Sequence, residues 1–251
     1  MSAIPIRLGP AARRLYAVHH PAAGRGRGGL ALLVCNPWGA EALRAHRSLR
    51  VLADSMARSR WHVMRFDYHG TGDSSGGLCD GSVDGWVSDI RAAAAELRAL
   101  SGASRVVLAG LRLGASLAAL AAADDPRTGG LVLWDPVASG AAWLEDLMGP
   151  EATTLPGTLE VDGLPMTAAL RAQLATITPE RLAAGARGRV LVLSSTPSPG
   201  QPALRRALAA RVPSLDWRQV EAPPAWVEQG FFGPGPVAAP VIQTIAEWGA
   251  R

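Results

Sequence analysis

The chain has no lysine: all 25 basic residues among its 251 are arginines. These are dispersed, and no basic run is interleaved with aromatics, so no nucleic-acid partner is expected despite a formal net charge of +4. Cysteine is nearly absent. Cys35 and Cys79 are too few for a disulfide framework or a cysteine metal cluster, and no metal site is expected. Cys35 closes an apolar strand and reads as a small buried hydrophobe. No unbroken apolar run of about 18 residues occurs, which excludes a membrane-spanning helix. The opening MSAIPIRLGPAARR lacks the apolar stretch of a signal peptide, and a cytoplasmic location is the expectation. Histidine is confined to the first third of the chain, at His19, His20, His46, His62 and His69. Charged residues make up only 18% and hydrophobic ones 48%, which argues against disorder and for one large core.

Short apolar runs alternate with helical patterns, the rhythm of a mainly parallel sheet with helices on both faces. LYAVHH (15–20) reads as an early edge strand, and ALLVC (31–35), WHVMRFD (61–67), RVVLAG (105–110) and LVLWDP (131–136) as buried strands. Between them lie helical patterns over about 42–58, 83–100 and 113–123. Residues 137–186 break the rhythm for some fifty positions, with one helix near 167–175, and read as a small cap insertion. RVLVLSS (189–195), a helix near 201–211, LDWRQVEA (215–222) and a last helix near 237–249 resume the alternation. The expectation is a single α/β domain over 1–251.

The stretch VVLAGLRLGASLAAL (106–120) carries the strongest signal. A buried strand enters G-L-R-L-G and leaves as an apolar helix, which is the setting of the G-x-S-x-G turn that exposes a hydrolase nucleophile. Gly110 and Gly114 keep the spacing, but Arg112 stands where the serine belongs. CNPWGAEALRAHR (35–47) resembles the oxyanion-loop segment of α/β-hydrolases, and FDYHGTGDSSG (66–76) resembles the D-x-x-G-x-G-x-S segment after the next strand. Over roughly residues 15–145 the chain resembles the α/β-hydrolase branch of exosortase A system-associated and serine-aminopeptidase-like hydrolases. The resemblance implies an α/β-hydrolase fold and acyl or other small-molecule chemistry, and it leaves the substrate open.

The serine, acid and histidine that such chemistry needs, in that order, do not appear. An arginine stays protonated and cannot attack a carbonyl. The loop after RVLVLSS holds no carboxylate, and APPAWVEQGFFGPGPVAAP before the last helix holds no histidine. Ser116 lies inside the helix, where its hydroxyl is expected to bond a carbonyl of the turn before it. Arg112, at the positive end of a helix, needs an anion, and Glu41 and Asp135 are the internal partners within reach of the sequence argument. Asp135 also reads as a turn carboxylate ahead of Pro136. If the pocket is open, Arg112, Leu113 after it, and the loop at Trp38 and Gly39 would hold a carboxylate, phosphate or developing oxyanion. His46 is then the candidate general base, and Trp134, with Trp38 and Trp143, a candidate wall. Asp67 and Asp73 read as braces of their glycine-rich loop.

Two functions remain. One is a nonstandard enzyme acting on an acyl, ester or thioester molecule with an acidic group, through Arg112, Glu41 and His46. The other is an inactive relative that binds a metabolite or a protein partner. No P-loop or dinucleotide motif in a strand–helix setting occurs, so no cofactor is expected.

Overall fold

In the computed structural model, residues 3–26, 28–148, 153–155, 158–227 and 235–251 are described. The first half runs β1 (Ile4–Leu8), β2 (Leu15–His20), β3 (Leu30–Cys35), α1 (Ala40–Arg58), β4 (His62–Phe66), α2 (Val83–Ser101), β5 (Arg105–Leu111) and α3 (Leu113–Ala122). The second half runs β6 (Thr128–Trp134), α4 (Gly140–Leu147), β7 (Thr153–Leu155), β8 (Thr158–Val161), β9 (Leu164–Thr167), α5 (Ala168–Ala175), α6 (Pro179–Ala184), β10 (Arg189–Ser194), α7 (Gln201–Ala209), β11 (Leu215–Gln219) and α8 (Ala239–Ala250).

Eight strands form the central sheet in the order β1-β2-β4-β3-β5-β6-β10-β11. β1 and β2 are antiparallel to each other and β2 to β4, and the other pairs are parallel. This is the mainly parallel, twice-covered sheet of the α/β-hydrolase fold. On one face α1 and α8 pack through Leu49, Leu52, Met56, Ile242 and Ile245, and on the other α2, α3 and α7 pack through Ile90, Leu97, Leu117 and Leu204. Helix α3 is buried along its whole length, as its unbroken apolar sequence requires.

Two expectations need correction. LYAVHH is not an edge strand, because β1 covers it with IPIRL, a five-residue segment in which Ile4, Ile6 and Leu8 alternate with Pro5 and Arg7 and the internal proline argues against a strand. The interval 137–186 also holds more order than one helix: α4, a separate antiparallel sheet β7-β8-β9, α5 and α6. Its strands are three or four residues long, too short for a period to register. No helix among the described residues is long and apolar enough to cross a membrane.

Candidate active site

The loops that follow the parallel strands meet at one end of the sheet, where open α/β sheets place their ligands. β5 ends in the sharp turn. Arg112 has φ 54° and ψ −124°, a left-handed conformation that an arginine adopts only under constraint. Both flanking glycines are required by close approach. A Cβ at Gly110 would strike the Gly114 carbonyl, and one at Gly114 would strike the carbonyl oxygens of Cys35 and Asn36. Strand, turn and helix therefore sit closer than any side chain permits.

The Arg112 side chain does not point into open space. Its Nε–H donates to Glu41 Oε1 at 3.0 Å, and each of the two side chains is 16% exposed. Its guanidinium carbon lies 5.6 Å from the centroid of the Trp226 ring, and Trp226 meets Trp134 edge-on at 6.2 Å. Burial raises the Glu41 carboxyl above its usual range, with Arg112 pulling against that. Glu41 Oε2 is buried and finds no hydrogen-bond partner among the described residues. Beside Arg112 a cavity of about 20 Å³ remains, lined by Val137, Trp143 and Ser198 among others, room for one water molecule.

Asp135, also at positive φ (41°), is spent on the neighbouring loop. Its Oδ1 accepts from the amides of Ser195 at 2.8 Å and Thr196 at 3.1 Å, and its Oδ2 accepts from the Ser195 hydroxyl at 2.6 Å. Burial raises its carboxyl, and these bonds oppose the shift. Asp135→Ala should therefore destabilise the chain by about 2 kcal/mol, because the half-buried Ser195 and Thr196 amides lose their acceptor. Asp135→Asn, which tolerates the backbone angle and keeps one acceptor oxygen, should lose clearly less in urea unfolding.

His46 is not part of this cluster. It faces a groove between α1 and β4, near Asp67 and Arg65, and no hydrogen bond or ion pair joins it to Arg112 among the described residues. Burial and Arg65 push its pKa down, so it is neutral at pH 7. One helical turn separates His46 from Ala42, which puts it on the groove side of α1. Trp38 and Gly39 line that groove as well, and Trp38 also meets Trp143 edge-on at 6.5 Å. The Leu113 side chain is buried in the core, which leaves only its backbone for a ligand. Ser116 is fully buried, and its hydroxyl donates to Val137 O at 2.7 Å. The Cys35 thiol is fully buried and pushed far up by desolvation. Asp67 accepts from the Asp73 amide at 3.1 Å and so ties its loop together. Among the described residues no group of three or more His, Cys, Asp or Glu side chains is arranged to hold a metal.

Trp226 is the member that a search of its loop for histidine passes over. The loop lies after β11 and before α8, where the base of this fold belongs, and an indole stands against Arg112 there.

Sheet order, turn and flanking loops together define an α/β-hydrolase. The chain belongs to the serine aminopeptidase (S33) family, whose model matches residues 44–187. Among solved structures it is similar to the esterase Est1E of Butyrivibrio proteoclasticus with ferulic acid bound, at 16% identity over 97% of each chain and a TM-score of 0.76. It is also similar to the esterase domain of a Rhodothermus marinus protein, at 18% identity over 100% of this chain and 99% of that one, with a TM-score of 0.68. At these identities the likeness concerns the fold. No curated protein sequence matches the chain.

Proposed function

We propose that this chain is an α/β-hydrolase-fold protein that has given up serine hydrolysis, an inactive relative that binds a small molecule or a partner instead of cleaving an acyl bond. The observation that carries the reading is the filling of the nucleophile position. Arg112 is bonded to Glu41 and stacked near Trp226, and the cavity it lines among the described residues measures about 20 Å³, less than an acyl group needs. The losses reinforce one another. The nucleophile is an arginine, the carboxylate after β6 serves the Ser195 loop, and the loop before α8 has no histidine. The interval 137–186, read as a small cap, then closes a site with nothing to react.

The reading of a nonstandard enzyme requires Arg112 to leave Glu41 for a substrate carboxylate or phosphate, and one comparison decides between the two. The purified chain is incubated with p-nitrophenyl acetate and butyrate, a long-chain acyl-CoA and an amino-acid p-nitroanilide. No turnover above the buffer rate is expected, for the wild type or for Arg112→Ala. Steady hydrolysis that falls at least tenfold in Arg112→Ala would establish Arg112 as the electrostatic clamp of a working enzyme and overturn the proposal. Unchanged silence in Arg112→Ser is also expected, because a serine there has no imidazole to take its proton.

A further inference from the structure

A second cavity among the described residues, far larger than the one beside Arg112, lies elsewhere. An open groove of about 1200 Å³ runs between α1 and the β2–β4 side of the sheet, up to the loops after β3 and β4. It is above the usual small-molecule range of roughly 300–1,000 Å³. Its upper part is apolar, walled by Trp38, Leu43, Leu78, Leu164 and Pro165, and Leu43 and Leu78 are exposed there. Its middle holds an arginine where the pattern of the sheet calls for a hydrophobe. Arg65 pairs in register with Val34 of β3, and two residues earlier on the same face Val63 is fully buried.

Arg65 is held in a fixed orientation. Its Nε–H donates to His20 Nε2 at 3.3 Å, and the buried His20 ring lies with Nδ1 2.9 Å from Asp54 Oδ1. This order assigns the proton on His20 to Nδ1 and makes the ring neutral; burial and Arg65 push its pKa down accordingly. With Nε used, the two terminal amino groups of Arg65 make no hydrogen bond among the described residues, and no carboxylate lies within ion-pair distance of them. The acidic groups facing the groove are engaged elsewhere. Asp54 serves His20 and lies 3.9 Å from Arg50, and Asp67 accepts from Asn36 and the Asp73 amide. Asp73 sits on the outer rim, while Arg50, Arg58 and neutral His46 complete the polar lining. A half-buried guanidinium with a free two-pronged edge, below an apolar wall, has the recognition chemistry of an anion that carries an apolar chain.

We propose that this groove is a binding site for a single-chain anionic amphiphile, its carboxylate or phosphate head on the terminal amino groups of Arg65 and its chain along Trp38, Leu43 and Leu164. Asp54 and His20 act as positioning residues for the arginine. The site is two strands away from Arg112 in the sheet, so it stands whether or not the turn is catalytic. Its occupant would touch Trp38 and Gly39, which line the groove.

Binding of dodecanoate, dodecyl phosphate and, as the neutral control, dodecanol is measured by calorimetry on the intact chain. Saturable binding of one or both anions is expected, with dodecanol much weaker, and the tighter anion identifies the head group. Arg65→Gln, which keeps a donor for His20, should weaken anion binding at least tenfold. Leu43→Glu changes an exposed position and adds a repelling charge at the apolar wall, and it should weaken binding severalfold even if the Arg65 variant does not fold. The double variant Glu41→Gln/Arg112→Met should bind like the wild type. No saturable binding of either anion to the wild type, or binding that Leu43→Glu and every folded Arg65 variant leave unchanged, overturns the proposal. Loss of binding in the Arg112 double variant alone moves the site to the turn and overturns it as well.

Discussion

Arg112→Met should destabilise the protein by about 3 kcal/mol at neutral pH, the low end of the cost of stranding one member of a buried ion pair. The low end applies because both partners keep 16% of their side-chain surface. The loss is that of Glu41, whose carboxylate would remain buried without its Arg112 bond, with Oε2 already unbonded among the described residues and Arg44 the remaining cation that acts on it. Its pH dependence has a definite sign. Burial raises the Glu41 pKa in the folded chain above the unfolded value near 4.3, so folding favours the protonated acid. Stability from this group is therefore present at low pH and is lost as pH rises from the unfolded value through the raised folded one. Arg112 limits that loss in the wild type, and removing it raises the folded pKa further. Urea unfolding should accordingly show a larger penalty for Arg112→Met at about pH 8 than at about pH 4. Glu41→Gln/Arg112→Met should recover most of the difference and flatten the profile. Equal penalties at both pH values, with no recovery in the double variant, would mean that Trp226 packing and not the ion pair holds Arg112.

Gly114→Ala should be at least as damaging, about 3 kcal/mol or a failure to fold. The added methyl has no flexible neighbour to displace. It meets the backbone carbonyls of Cys35 and Asn36, at the end of a central strand paired on both sides. Relief would require α3 to move off the sheet, and every residue of α3 is buried. Gly28→Ala is the matched control: a Cβ there meets nothing within 4 Å, and its stability should stay within about 0.5 kcal/mol of the wild type. If Gly114→Ala melts with the control, the contact between turn and oxyanion-loop segment is softer than its geometry implies.

The arrangement of fold and site was unevenly legible in the sequence. The parallel strands β3, β5, β6 and β10 are continuous apolar runs because they are covered on both faces, and a continuous run bounded by turn residues can be read directly. The turn was legible because steric exclusion leaves glycine alone at 110 and 114, an all-or-none requirement that composition records. The outer strand β1 was not legible. Ile4, Pro5 and Arg7 are exposed, Pro5 interrupts the run, and its place is set by the register with β2. The same holds for the short strands β7, β8 and β9, which pair only with one another.

At the site, the sequence by itself determined the residues on which the proposed loss of acyl transfer rests: an arginine at the turn and no histidine beyond position 69. It also narrowed the partner of Arg112 to Glu41 or Asp135. Only the tertiary structure decided between them. Asp135 is drawn into the Ser195 loop by three donors across the sheet, and Glu41 is carried to Arg112 by the first turn of α1. It likewise brought Trp226 onto the guanidinium, a contact between residues far apart along the chain, and placed His46 in one groove with Arg65. Local sequence encodes steric permission and period. Which charge meets which, and whether a cavity is filled or open, depends on helices docking from distant parts of the chain, and no local pattern records that.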